Sequence, residues 1–265
     1  SEPLVIGHFQ SLALTGTEAV VDQIMGGALD DVLRAGLYPT RVGETQVFVN
    51  TRSDPANPWG LRRPQAVVVV GLGDESALRQ QQLRTAVRRG VLAYAHHCSQ
   101  SRQQAAQADS GGMTLAITSI GSGGALSVGQ ASLAVVQGVA DANQTLADSG
   151  QATAWPGVRK LIIIELYQDR ASEAWHTLRD ATRSGVLDVD LCTRVLDGNG
   201  GLRHPATLNY RGTSYDLVSV MQVDTALHYT LTTRRARSEV RVQATQRPLV
   251  DQLISRAEHQ SRHDE

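Results

Sequence analysis

Lysine is almost missing from this 265-residue chain, and cysteine and the aromatics are scarce. Lys160 is the single lysine, so 24 of the 25 basic residues are arginine, a bias of high-GC bacterial genomes rather than of function. Two cysteines, Cys98 and Cys192, cannot build a disulfide framework, and a chain of this length does not need one. Aromatic residues make up 4%, which leaves little stacking material for single-stranded nucleic acid. The net charge is -1, so no global positive field exists to release counterions from a phosphate backbone, and bulk nucleic-acid binding is excluded. No apolar run approaches the roughly 20 residues that span a bilayer, which excludes a transmembrane reading. The opening SEPLVIGHFQ has neither a basic nor an apolar signal region, so a cytoplasmic location is expected. It also lacks an initiator Met and reads as a piece of a longer protein.

The composition that remains, 41% hydrophobic and 19% charged, is that of a folded protein. Residues 3–9 read as a strand, and 17–33 carry helical spacing interrupted by Gly26-Gly27. A second strand follows at 45–50, then a Pro- and Gly-rich loop at 53–64. The β-branched run at 66–70 predicts a strand buried on both faces of a parallel sheet. Helix at 78–98, strand at 113–120, helix at 127–146, strand at 158–167 and helix at 170–182 complete an alternating pattern. Past residue 185 the pattern changes to short strands at 207–210, 215–223 and 227–233. Residues 234–258 read as one helix, kinked at Pro248, that connects this body to a following domain. The Gln/Ala-rich stretch 99–108 reads as a loop.

Two segments resemble the N-terminal domain of leucyl aminopeptidases. VVVVGLGDESALRQQQLRTAVRRGV, at 67–91, resembles that domain's strand-loop-helix, and SIGSGGALSVGQASLAVVQGVADANQTL, at 119–146, resembles its later helix. LVIGHFQ and GGALDDVLRAG fit its first strand and helix. The resemblance covers about residues 3–182 and implies a macro-domain-like, three-layer α/β/α fold with a mostly parallel sheet. The remaining 183–265 form a small α+β extension. The whole order, with ELYQDRA at 165–171 and RARSEVRVQATQRPLVDQLI at 235–254, also looks like the region ahead of the CHAT domain in large bacterial proteins. CHAT domains resemble caspase-type cysteine proteases, so a protease-like domain is expected beyond Glu265. Neither family's catalytic residues carry over, because the chain has no aminopeptidase metal motif and no caspase-like signature at either cysteine.

Seven residues mark a candidate binding site. Gly71, Gly73 and Asp74 leave a buried strand and enter a helix, where glycines and free helix N–H groups accommodate phosphate. The third glycine of the dinucleotide fingerprint is missing, and no Lys-Ser/Thr follows. A tight turn capped by Asp74 or Ser76 is the preferred reading. Gly121, Ser122, Gly123 and Gly124 occupy the same place one unit later, where the macro-domain resemblance implies a loop around a diphosphate. Asn50 and Asp54 stand in the wrong context to read an adenine or a ribose. His96-His97-Cys98 point about 100° apart on a helix and cannot converge on one ion. Cys192 reads as core, and Glu165 and Asp169 as cap or surface residues. Arg234, Arg235 and Arg237 read as a solvated helix face.

The expectation is a non-catalytic regulatory or recognition domain of a multidomain bacterial protein. Its partner would be its own downstream domain or another protein, with no cofactor. The alternative is a sensor that binds a nucleotide or ADP-ribose-like diphosphate in the glycine-loop crevice. A free-standing hydrolase ranks last, since no complete catalytic constellation is visible.

Overall fold

The computed structural model describes residues 2–54, 56–104, 112–122, 126–150, 155–196 and 198, with strand backbones at 217–223, 226–232 and 237–243. The chain divides into two units, Ser1–Arg203 and His204–Glu265. In the first, β1 (Leu4–Phe9), α1 (Thr17–Met25), α2 (Ala28–Arg34) and β2 (Thr45–Val49) precede a short hairpin, β3 (Ser53–Asp54) and β4 (Asn57–Leu61). Then come β5 (Ala66–Gly73), α3 (Gln80–Gln104), β6 (Met113–Thr118), α4 (Val128–Asp148), β7 (Val158–Ile164) and α5 (Gln168–Arg183). The central sheet runs in the order β2-β5-β1-β6-β7. β5, β1, β6 and β7 are mutually parallel, whereas β2 lies antiparallel on β5.

Alternation along the strands sends side chains to two separate cores. Ile6, Val67, Val69 and Phe48 meet Val21, Met25 and Leu29 of α1 and α2 on one face. Val5, Val68, Val70, Leu115 and Ile117 meet α3 and α4 on the other. α5 packs on that second side, where Leu178 and Ala181 join Val136, Leu161 and Ile163. The result is a three-layer α/β fold.

Gly26 and Gly27 both adopt positive φ, at 77° and 90°, and break the first helix into two. α4 begins where the sequence places it, because Ser127 and Gln130 form a reciprocal capping box. Its small residues matter more than its propensity, since α4 is wedged between two neighbours. A Cβ on Gly138 would lie 2.6 Å from the Arg84 backbone oxygen of α3, and one on Gly129 would collide with Thr177 of α5. Arg84 adds an ion pair across the same seam, its Nε 2.5 Å from Asp141. The hydrogen bonds from this guanidinium hold the Asp141 carboxyl below its ordinary range.

Three expectations are corrected. The 53–64 stretch is not only a loop, because Asp54 pairs with Asn57 and Ser53 with Leu61 in the hairpin. The helix predicted over 78–98 runs on to Gln104, into the stretch read as a loop, so His96-His97-Cys98 lie inside it rather than at its end. In the second unit, β8 (Leu217–Val223), β9 (Ala226–Thr232) and β10 (Arg237–Gln243) form an antiparallel meander. Residues 237–243 are therefore strand, not part of one helix over 234–258. Every residue from Arg237 to Gln243 finds a partner on β9, and that pairing outweighs helix propensity. The strand expected at 207–210 and the chain after 243 lie outside the described residues.

Gly138→Val should lower unfolding free energy by about 1–3 kcal/mol, by forcing α3 and α4 apart. Urea denaturation measures it, and an unchanged midpoint would contradict the packing.

Candidate functional site at the carboxyl end of the sheet

Chain direction singles out one place on the sheet. The loop after β1 leads to α1 on one face, and the loop after β6 leads to α4 on the other. Ligands of open α/β sheets bind at such a reversal, outside the carboxyl ends of the strands. Residues 10–16, 119–122, 126 and 127 border it. The two strand ends are packed closely, for a Cβ on Gly7 of β1 would stand 2.7 Å from Leu72 and 3.2 Å from Ile120.

The glycine positions near this end are filled by the protein itself. A Cβ on Gly71 would run into the Arg41 backbone oxygen. Gly73 has φ 74°, its N–H donates to Thr40 O at 2.9 Å, and its carbonyl accepts from Gln10 N–H at 2.9 Å. The covering loop is closed by Glu44, whose Oε2 accepts the N–H groups of Thr40 and Arg41, both at 2.9 Å. Those backbone bonds lower the Glu44 pKa. Asp74 accepts from Ser76 Oγ at 2.6 Å and Ser76 N at 2.8 Å, and these hydrogen bonds lower its pKa too. Asp74 thus caps a local turn at 74–77, but Gly71 and Gly73 lie within β5 and α3 begins only at Gln80, so the tight strand-to-helix turn expected here is corrected.

The second loop is engaged in the same way. Gly121 has φ 75°, and a Cβ there would lie 3.0 Å from both Leu78 and Leu83. Ser122 is buried, its hydroxyl donating to Ser119 O at 2.6 Å and accepting from Arg170 Nη2 at 2.5 Å. Arg170 Nε donates to Glu165 Oε2 at 3.1 Å. The other Glu165 oxygen accepts Leu166 N–H at 2.7 Å and Tyr167 N–H at 3.2 Å, so this carboxylate ties the start of α5 to β7. Gly123 and Gly124 lie outside the described residues. The structure thus brings Gly71, Gly73 and Asp74 to one end of the sheet with Gly121 and Ser122. It gives each of these five an internal packing or hydrogen-bonding role.

Other candidates are placed as follows. The Asn50 amide is buried, donating to Arg62 O and Pro64 O and accepting from Arg52 N, and Asp54 accepts from Ala56 N. Both build the hairpin region. His96 rests 4.9 Å from the Trp155 ring, and His97 stacks 6.2 Å from Tyr94. Among the described residues, no group of three or more His, Cys, Asp or Glu could hold a metal ion. Cys192 is exposed rather than core, and its carbonyl accepts the Trp175 indole N–H at 2.8 Å.

One cluster escaped the sequence reading. Below the loop after β1, His8 Nδ1 donates to Glu18 at 2.9 and 3.0 Å, and Tyr38 donates its hydroxyl to Glu18 Oε1 at 3.1 Å. All three residues are buried, with 1%, 6% and 4% exposure. His8 Nε2 lies 3.3 Å from Ser11 O, which links the cluster to the bordering loop. Burial, reinforced by the Glu18 charge, pushes the Tyr38 phenol well above its ordinary range. The one available signal was Glu18 on the same helical face as Val21 and Met25.

Comparison with known proteins agrees with part of this. Residues 5–106 match the model of the cytosol aminopeptidase family, N-terminal domain. That stretch runs from β1 into α3. A search of the curated proteins finds no match. Among solved structures, the bottromycin maturation enzyme BotP is similar at 14% identity and TM-score 0.36, over 71% of this chain and 38% of that one. BotP in complex with Mn is similar at 16% identity and TM-score 0.38, over 68% of this chain and 30% of that one. The chain therefore spans about a third of the length of those structures, and likenesses of that size carry no functional argument. No helix among the described residues is long and apolar enough to cross a membrane.

Tyr38→Phe tests the buried cluster. The folded phenol stays neutral at a pH where an unfolded tyrosine ionises, near 10. Its contribution to stability is therefore present below that pH and lost as pH rises above it. The variant should be less stable at neutral pH by about 1–2 kcal/mol. Its stability should also fall less steeply under alkali, as followed by denaturation from pH 7 to 11. Equal alkaline slopes in parent and variant would contradict the assignment.

Proposed function

We propose that this chain is a non-catalytic regulatory or recognition domain of a multidomain bacterial protein, acting in the cytoplasm through contacts with protein. The observation that carries this reading is the self-filled sheet end. The backbone of Arg41 occupies the space beside Gly71, Leu78 and Leu83 occupy that beside Gly121, and Arg170 engages Ser122. At the start of α4 the Ser127–Gln130 capping box takes up the Ser127 and Gln130 N–H groups. The match of residues 5–106 to an N-terminal domain rather than to a peptidase domain supports the same view. On this reading the downstream partner is a caspase-like protease, a pairing supported by the resemblance of 165–171 and 235–254 to segments ahead of CHAT domains.

A sensor for an ADP-ribose-like diphosphate is the competing reading. Thermal denaturation with millimolar ADP-ribose or ADP separates the two. The proposal expects no change in midpoint, whereas a concentration-dependent rise, mass action by a bound ligand, would overturn it in favour of the sensor. The isolated chain is also expected to leave a broad peptide library uncut. Cleavage abolished by a point change within this chain would refute the non-catalytic assignment. Coding sequence beyond Glu265 tests the protease pairing, which a metallopeptidase domain there would reject.

A further inference from the structure

Strand β2 ends the five-stranded sheet, and its register decides which of its backbone groups are committed. Gly71 N–H donates to Glu44 O at 3.0 Å, and Asn50 N–H donates to Gln65 O at 2.8 Å. Bonded residues alternate in an antiparallel ladder, so Gln46 and Phe48 also turn towards β5. Thr45, Val47 and Val49 consequently turn their N–H and C=O groups outward. Among the described residues, no backbone partner takes these groups up.

Exposed edges are normally blunted by charge, proline or a bulge. β7, at the opposite end of the sheet, carries the exposed Arg159 and Lys160. β2 reads TQVFV, with no charge, no proline and no register shift against β5. Val49 is 47% exposed, and Leu37, on the connection leading to β2, is 73% exposed. An open hollow of about 470 Å³ lies beside the start of the strand, lined by Leu37, Tyr38, Arg41, Glu44, Thr45 and Gln46 among others, and by no residue of β5. Among the described residues, no strand lies on the outer side of β2.

We propose that β2 is a self-association edge, at which two copies of the chain join their β2 strands antiparallel about a two-fold axis through Val47. This register uses every outward group, setting Val47 against its own copy and Thr45 against Val49. Gln46 falls beside Phe48, and Glu44 meets the uncharged Asn50, so no like charges oppose each other. All the outward-bonding residues, Thr45, Val47 and Val49, are β-branched and oppose one another in this register, a favourable cross-strand pairing in the isologous geometry of a two-fold dimer. The edge is only five residues long, so the association is weak and concentration-dependent.

Sedimentation equilibrium of the 265-residue chain over rising concentration tests this. The parent should form a reversible dimer. Thr45→Lys with Val49→Lys opposes two lysines at each of two symmetric positions and should weaken association about tenfold. Thr45→Glu with Val49→Lys changes the same positions but pairs opposite charges, and should dimerise as the parent does. Matching melting curves of the two variants when dilute establish that both fold. Val49→Pro is a second probe, because it removes an outward N–H without costing a bond to β5, and it should also weaken the dimer. A parent that stays monomeric at every concentration overturns the proposal. So does a dimer that the two double variants and Val49→Pro leave equally strong.

Discussion

Every residue of β5 from Ala66 to Leu72 is buried, and its four successive valines have no exposure at all. Each such side chain withdrawn from water contributes about 1.5–3 kcal/mol, but only if both faces of the strand are covered. That requirement organises the first unit. α1 and α2 must cover Val67 and Val69, while α3 must cover Val68 and Val70. The helices approach closely enough only where side chains vanish. A Cβ on Gly90 of α3 would sit 2.6 Å from Val70, and Gly138 of α4 lies as near to α3. Valines in the strand and glycines in the helices are two halves of one packing solution.

The same requirement accounts for the glycines at the end of the strand. β2 covers one edge of β5, and the chain entering β2 must pass over Gly71 and Gly73. Glu44 folds that entering segment into a closed turn, and the Arg41 backbone is pressed onto Gly71, where a side chain would collide with it. A glycine-rich strand end is thus compatible with two quite different demands. One is the approach of a phosphate, and the other the approach of the protein's own backbone. Sequence alone gives the two the same letters, and here the second explains Gly71, whereas Gly73 and Gly121 adopt positive φ.

Legibility followed from where the determining interaction lay. β5 was readable because β-branched residues in a run leave few alternatives, and α4 because its cap and small-residue pattern are local. The break at Gly26-Gly27 was local as well. β10 was misread because RSEVRVQ is rich in residues that helices tolerate, while its alternation of Val240 and Val242 spans too few positions to stand out. Its true determinant is the ladder to β9. The His8–Glu18–Tyr38 cluster was invisible for the related reason that it joins residues 10 and 20 positions apart. Nothing in the neighbourhood of His8 distinguishes it from a surface histidine until α1 is laid across the sheet.

The described polar side chains near the reversal point look inward. Glu18 is held by His8 and Tyr38, Glu165 by Arg170 and two backbone N–H groups, and Ser122 by Arg170 and Ser119. His8–Glu18 joins β1 to α1 and Arg170–Ser122 joins α5 to the loop after β6, while the bonds from Ser122 to Ser119 and from Leu166 and Tyr167 to Glu165 are local. Catalysis needs groups with capacity left over for a substrate, whereas a scaffold needs its groups satisfied. Glu18, Glu165 and Ser122 have their hydrogen bonds taken up within the chain, whereas the buried Asp169 Oδ1 has no hydrogen-bond partner. What the first unit turns outward is of another kind: the backbone of β2, and apolar side chains such as Leu12, Leu37 and Val49. An open strand backbone and exposed apolar side chains are what the proposed recognition role would use, through ladder hydrogen bonds and buried area.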